Sequence, residues 1–119
     1  MINDLNRITL MGHVGSDAKQ ANATAPVTFS IATTSRWKNE ANALQSRTDW
    51  HTIVVFGNLR KYALKFKKGD RVYIEAQARN NHYERKIGTE TIKFREVEYL
   101  ADQIERVTAK SEVDAESGE

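Results

Sequence analysis

The chain is 119 residues long, 39% hydrophobic and 29% charged, with ten aromatic side chains (two Trp, four Tyr, four Phe) and no cysteine. That length suits one compact domain rather than a two-domain enzyme, and the missing cysteines exclude a disulfide framework, a thiolate nucleophile and a cysteine-ligated zinc. Eighteen Lys and Arg against sixteen Asp and Glu give +2, but residues 109–119 hold Lys110 against Glu112, Asp114, Glu116 and Glu119, a net −3, which leaves +5 (17 basic, 12 acidic) on residues 1–108. A cationic body attracts polyanions, although solubility alone would also account for it. The division predicts a folded domain over 1–108 and a short acidic disordered tail over 109–119. No stretch approaches the roughly 20 apolar residues of a membrane-spanning helix, and Met1 to Asn6 carry no basic-plus-apolar secretion signal. A cytoplasmic location with no membrane partner is therefore expected.

From Arg7, the residues Ile8, Leu10, Gly12 and Val14 alternate with Thr9, Met11 and His13, the period of a strand buried on one face. Gly15-Ser16-Asp17 breaks it, and a polar stretch runs to the only proline, Pro26, which suits a strand's first residue. Val27, Phe29 and Ile31 share a face of strand two, which is expected to end near Thr34. Residues 35–47 lose periodicity and collect polar side chains around Trp37, so they read as a long hairpin loop. Strand three, Thr48 to Phe56, is apolar on both parities and is expected to be central. After Gly57, the stripe Leu59, Tyr62, Ala63, Phe66 predicts a short amphipathic helix, stopped by Lys67-Lys68-Gly69-Asp70. Strand four alternates from Arg71 to Arg79, a basic loop runs from Asn80 through Tyr83 to Gly88, and strand five covers Thr91 to Tyr99 with Ile104 to Val107 extending or closing it.

Five strands with one short helix between the third and fourth are the element order of the OB-fold, an all-β, five-stranded Greek-key barrel. A sandwich or SH3-like barrel shares the periodicity, but neither usually places a single helix there.

Four blocks, NRITLMGHVG (6–15), FSIATTSRW (29–37), TDWHTIVVFGNL (48–59) and KKGDRVYIEAQAR (67–79), resemble in the same order the bacterial-type single-stranded DNA-binding protein family. The resemblance implies an OB-fold, assembled as a homotetramer, that binds and protects single-stranded DNA in replication, recombination and repair without catalysis. By position it implies that Trp37, Trp50, Phe56 and Tyr83 stack on bases. Parity agrees for Trp50 and Phe56, six apart on one face of strand three. Stacking fits such a role because every base has a π-face, worth about 1–3 kcal/mol per base whatever the sequence. The neighbouring Arg36, Lys38, Arg47, Arg79, Arg85 and Lys86 would contact phosphates or stack through their guanidinium planes. Asn80, Asn81 and His82 stand where relatives carry more positive charge, which weakens phosphate contact on that loop. The chain stops at Glu116-Ser117-Gly118-Glu119 without the acidic, hydrophobic tip through which relatives dock replication and repair proteins, so that recruitment does not carry over.

Without the resemblance, Trp50 and Phe56 on a central strand would read as core. Trp37, among Arg, Lys, Asn and Glu, has no apolar stripe to join, so burial explains it poorly. An enzyme reading would rest on Asp49 and His51, two apart on one strand face; there is no HExxH, paired-acid or Gly-rich phosphate motif, and no cofactor or metal is expected. Three classes thus stand at this stage: a single-strand binder, an OB-fold scaffold of the primosomal replication protein N type acting mainly through partner proteins, and a small nuclease. The four aromatics favour the first.

Overall fold

In the computed structural model, which describes residues 4–108, the alternating segments form strands that curl round one apolar core. In chain order they are β1 (Ile8–Val14), β2 (Lys19–Gln20), β3 (Val27–Lys38), β4 (Leu44–Val55), α1 (Arg60–Ala63), β5 (Arg71–Ile87) and β6 (Glu90–Thr108). Neighbours run β1-β5-β6-β4-β3, and β3 returns to β1 through His13↔Ala32 and Val14↔Ile31, closing the barrel. Every pairing is antiparallel except a short parallel contact of β4 with β6 at Ile53↔Tyr99 and Val54↔Leu100. This is the expected five-stranded OB-fold barrel with its one short helix. The two residues of β2, which the polar stretch before Pro26 concealed, add a small edge on β3.

The inward rows are those the alternation predicts. Val14, Val27, Phe29, Ile31, Ile53, Val55, Val72 and Ile74 are all buried. The helical pattern begins as a 3₁₀ turn, Gly57–Leu59, and α1 itself is only four residues long. Its stripe still closes the barrel end: Phe66 meets Phe29 edge-to-face at 5.4 Å and Tyr62 at 5.3 Å. The turn after it is held by Asp70, 2% exposed, whose carboxylate accepts the Lys67 N–H at 2.9 Å and lies 3.6 Å from Arg106.

Three boundaries differ from the sequence reading, each for a physical reason. Residues 35–47 are not a loop: β3 and β4 continue as a paired ribbon to Lys38↔Leu44, leaving only residues 39–43 as the turn. There the Asn39 side chain accepts the Ala41 and Ala43 N–H groups, both at 3.0 Å. Likewise residues 80–87 pair with 90–97, and Gly88, at φ +67, begins a two-residue turn. Both ribbons project beyond the core with both faces wet, so no apolar alternation marks them. Finally, β6 is one strand with two bulges, which skip Asp102 and Val107. The first lets Ala101 and Ile104, of opposite parity, both turn inward.

Among the described residues no helix is long and apolar enough to cross a membrane. The acidic tail expected over 109–119 lies outside the described residues.

Because Phe66 is 1% exposed between two rings, Phe66→Ala is expected to cost about 3–5 kcal/mol. Urea unfolding followed by circular dichroism measures this, and a loss below about 1 kcal/mol would contradict the packing described.

Candidate nucleic-acid interface

On β4 the outward parity carries Thr48, Trp50 and Thr52, and Phe56 continues it just past the strand in an extended conformation. Trp50 stands opposite the small Ala32 on β3. A Cβ on Gly15 would overlap the six-membered ring of Trp50, so the indole lies against the turn that follows β1. It nevertheless remains 63% exposed, a large ring braced on one side and open on the other. The same cross-strand row runs Trp50↔Ala32↔His13↔Arg71, and an open groove there is lined by Met11, Gly12, His13, Ala32, Thr34, Arg36 and Arg71. His13 and Arg71 were not among the expected site residues. Their signal was outward parity on β1 and β5, legible only once the register is known.

Phe56, 46% exposed, has the Arg79 guanidinium 5.8 Å from its ring centroid. Arg79 also pairs with Glu98 at 3.2 Å. The cation therefore holds the ring and a carboxylate together, and is less available to phosphate than the sequence implied.

The ribbons carry the rest. Trp37, 47% exposed, belongs to β3 and pairs with Gln45; it does not sit in a loop. Counting along the unbroken register, it leaves the ribbon from the face opposite Trp50. Arg36 and Lys38 share Trp50's face, whereas Arg47, opposite Ser35, shares Trp37's and pairs with Asp49 at 3.1 Å. With both side chains at least half exposed, that pair contributes about 0–1 kcal/mol.

Tyr83, expected on a loop, is on β5 directly opposite Phe94 of β6. Their rings stack with centroids 5.2 Å apart and planes 13° from parallel, and Arg85 lies 6.0 Å from one ring and 5.8 Å from the other. The Tyr83 hydroxyl donates to Glu96 at 2.9 Å. That hydrogen bond, then desolvation, then the Glu96 charge push the phenol above its ordinary pKa. Lys86, opposite Thr91, points to the other side of this ribbon.

The ten expected residues thus fall on two faces. Arg36, Lys38, Trp50, Phe56, Arg79, Tyr83 and Arg85 have outward barrel parity; Trp37, Arg47 and Lys86 have the inward parity, exposed only because the ribbons extend past the core. Phe94 was missed, although an aromatic at a fixed offset across a hairpin turn could have been found had the turn been placed at Gly88. The residues of the enzyme reading are engaged elsewhere: Asp49 with Arg47, and His51 with Thr33 at 2.8 Å and the Tyr99 ring at 5.6 Å. Among the described residues no group of three or more His, Asp or Glu could hold a metal ion.

In a Trp37→Phe background, where only Trp50 emits, Gly15→Ala is expected to push the indole off its support. Emission should shift to the red and acrylamide quenching should rise; an unchanged spectrum would mean that Gly15 does not brace the ring.

Residues 5–107 match the model of the single-strand binding protein family. Single-stranded DNA-binding protein 1 of Chlorobaculum tepidum is 35% identical over 88 residues, covering 71% of this chain and 54% of that protein. The single-stranded DNA-binding protein of Xanthomonas campestris pv. campestris is 30% identical over 116 residues, 94% of this chain and 66% of that one. The chain thus spans 54% to 66% of the length of these curated relatives. Among solved structures, a Plasmodium falciparum SSB in complex with ssDNA superposes with a TM-score of 0.70 at 29% identity, covering 91% of this chain and 97% of that one. A small single-stranded DNA-binding protein from Streptomyces coelicolor shares the fold, with a TM-score of 0.63 at 18% identity over 88% of this chain and 95% of that one. With residues 5–107 matched and the barrel shared, the chain belongs to the single-strand binding protein family.

Proposed function

We propose that the chain binds and protects single-stranded DNA, without catalysis and without sequence preference, by stacking bases on Trp50, Phe56, Tyr83 and Trp37 and by steering phosphates with the arginines and lysines between them. The observation that carries this is Trp50: a ring 63% exposed on a barrel wall of small and polar side chains, in one cross-strand row with Ala32, His13 and Arg71, which together with Arg36 line the groove on that wall. An exposed indole there has no core to fill, and an unpaired base is the flat, apolar surface that would cover it. Arg36 and Arg71 supply the sequence-independent attraction to phosphate.

Self-association, as a homotetramer, belongs to the same proposal. From Ile8 to Met11, β1 is paired with β5 alone, while β3 reaches β1 only at His13 and Val14. A strand with one free edge offers a ladder to a second copy. Action in replication, recombination and repair follows from where single strands arise, in the cytoplasm of the cell.

Titration with oligo-dT should quench tryptophan fluorescence strongly, and log K should fall linearly with log salt at about −0.7 per phosphate neutralised. Trp50→Ala is expected to weaken binding of all sequences alike by about 5- to 100-fold. No quenching, with tight binding to a partner protein instead, would favour a scaffold role. Strand cleavage on adding magnesium would overturn the non-catalytic reading. Light scattering should give a mass four times that of one chain; a monomer would remove the edge-pairing part alone.

A further inference from the structure

Beyond Arg79↔Glu98, β5 and β6 leave the barrel as a bare two-stranded ribbon. Such a ribbon is marginal in water and relies on its cross-strand pairs. The pair in the middle of its outer face is Tyr83 with Phe94, parallel within 13°, with Tyr83 tethered through its hydroxyl to Glu96. Phe94 is in none of the four blocks that carry the family resemblance.

Charge on that face argues against a phosphate track. Its positions are Arg79, Asn81, Tyr83, Arg85 and Ile87 against Glu98, Glu96, Phe94, Ile92 and Glu90, two cations and three carboxylates, with Arg79 and Glu98 already paired. What the face offers a nucleic acid is π-surface. The groove beside it is lined by Tyr83 and Phe94 together with His82, Glu84 and Lys93; Lys93 stands opposite Glu84 with the ribbon's other parity, so the groove adds no net charge to the rings. One face of Tyr83 is already covered by Phe94. The two rings therefore present themselves to a base as a single body.

Resting on the single-strand reading above, we propose that Phe94 is a further base-stacking residue and that Tyr83 and Phe94 form one preassembled station for a nucleobase. The expected consequence is that Phe94→Ala weakens oligo-dT binding about tenfold with the salt slope unchanged, since no ionic contact is removed. Phe94→Tyr should restore affinity. Phe94→Leu, which keeps apolar bulk on the ribbon but no π-face, should bind as weakly as Phe94→Ala. Because the rings act together, Tyr83→Ala combined with Phe94→Ala should be no more than about twofold weaker than the weaker single variant, whereas independent sites would multiply their effects. Thermal melts by circular dichroism should be alike for all variants, since the ribbon lies outside the core.

If the unsubstituted chain binds oligo-dT and Phe94→Leu binds equally well, this inference fails and the parent reading survives. If the unsubstituted chain does not bind, both fail. Full multiplication in the double variant would overturn the single station.

Discussion

The closure of the barrel at β1 and β3 is the contact on which the outer wall depends. A Cβ at Gly12 would overlap the backbone oxygen of Ala32, so the two strands meet at a distance only glycine permits. Two ladder positions, His13↔Ala32 and Val14↔Ile31, complete the ring of strands. They also set Gly15 beneath the Trp50 indole and align Ala32 and His13 in Trp50's row. A wider seam would leave the core open at Val14 and Ile31 and the indole without its support. Core and interface are thus two sides of the same few residues, and the period-2 geometry of a strand is what allows this.

Given that wall, the relative size of the forces assigns their roles. Exposed ion pairs such as Arg47–Asp49 contribute about 0–1 kcal/mol and are screened by salt. A stacked base contributes about 1–3 kcal/mol with no dependence on sequence. In the proposed function rings therefore hold and charges gather. The +5 of residues 1–108 raises the local concentration of a polyanion, while Arg79 over Phe56 and Arg85 beside Tyr83 and Phe94 place guanidinium planes where they can add to the stack.

The barrel was legible in the sequence because each of its strands has one wet and one dry side. Val27, Phe29 and Ile31 announce an inward row, and Leu59, Tyr62, Ala63 and Phe66 announce a helix even though only four residues are α-helical. The ribbons were illegible for the converse reason. Around Trp37 and Tyr83 both faces meet solvent, so polar residues occupy both parities and the pattern looks like a loop. The bulge at Asp102 misled similarly, since one skipped residue shifts Ile104 out of phase with Ala101. Residue types at the site could be read without the ribbons. The shared face of Trp50 and Phe56 could be read from parity, but the faces of Trp37, Arg47, Tyr83 and Lys86 could not, because facing on the ribbons depends on register, and register depends on where the turns at residues 39–43 and at Gly88 lie.

That Trp37 and Trp50 issue from opposite faces of one continuous ribbon has a consequence for any strand that meets both. From Ala32, Trp50's partner, to Trp37 is five residues along β3, about 17 Å at 3.3 Å per residue. A polynucleotide lying flat on the outer wall reaches Trp50, Phe56 and the Tyr83–Phe94 pair, but it must cross the ribbon's edge to reach Trp37. The arrangement therefore favours a strand that curls round the protein over one that runs straight across it. Curling needs a chain without a partner: duplex DNA, with a persistence length near 150 base pairs and its bases already stacked, can neither bend over a ribbon edge on this scale nor offer free faces to the rings. In the proposed function, discrimination between single and double strands thus rests on the curvature of the path as well as on the rings themselves.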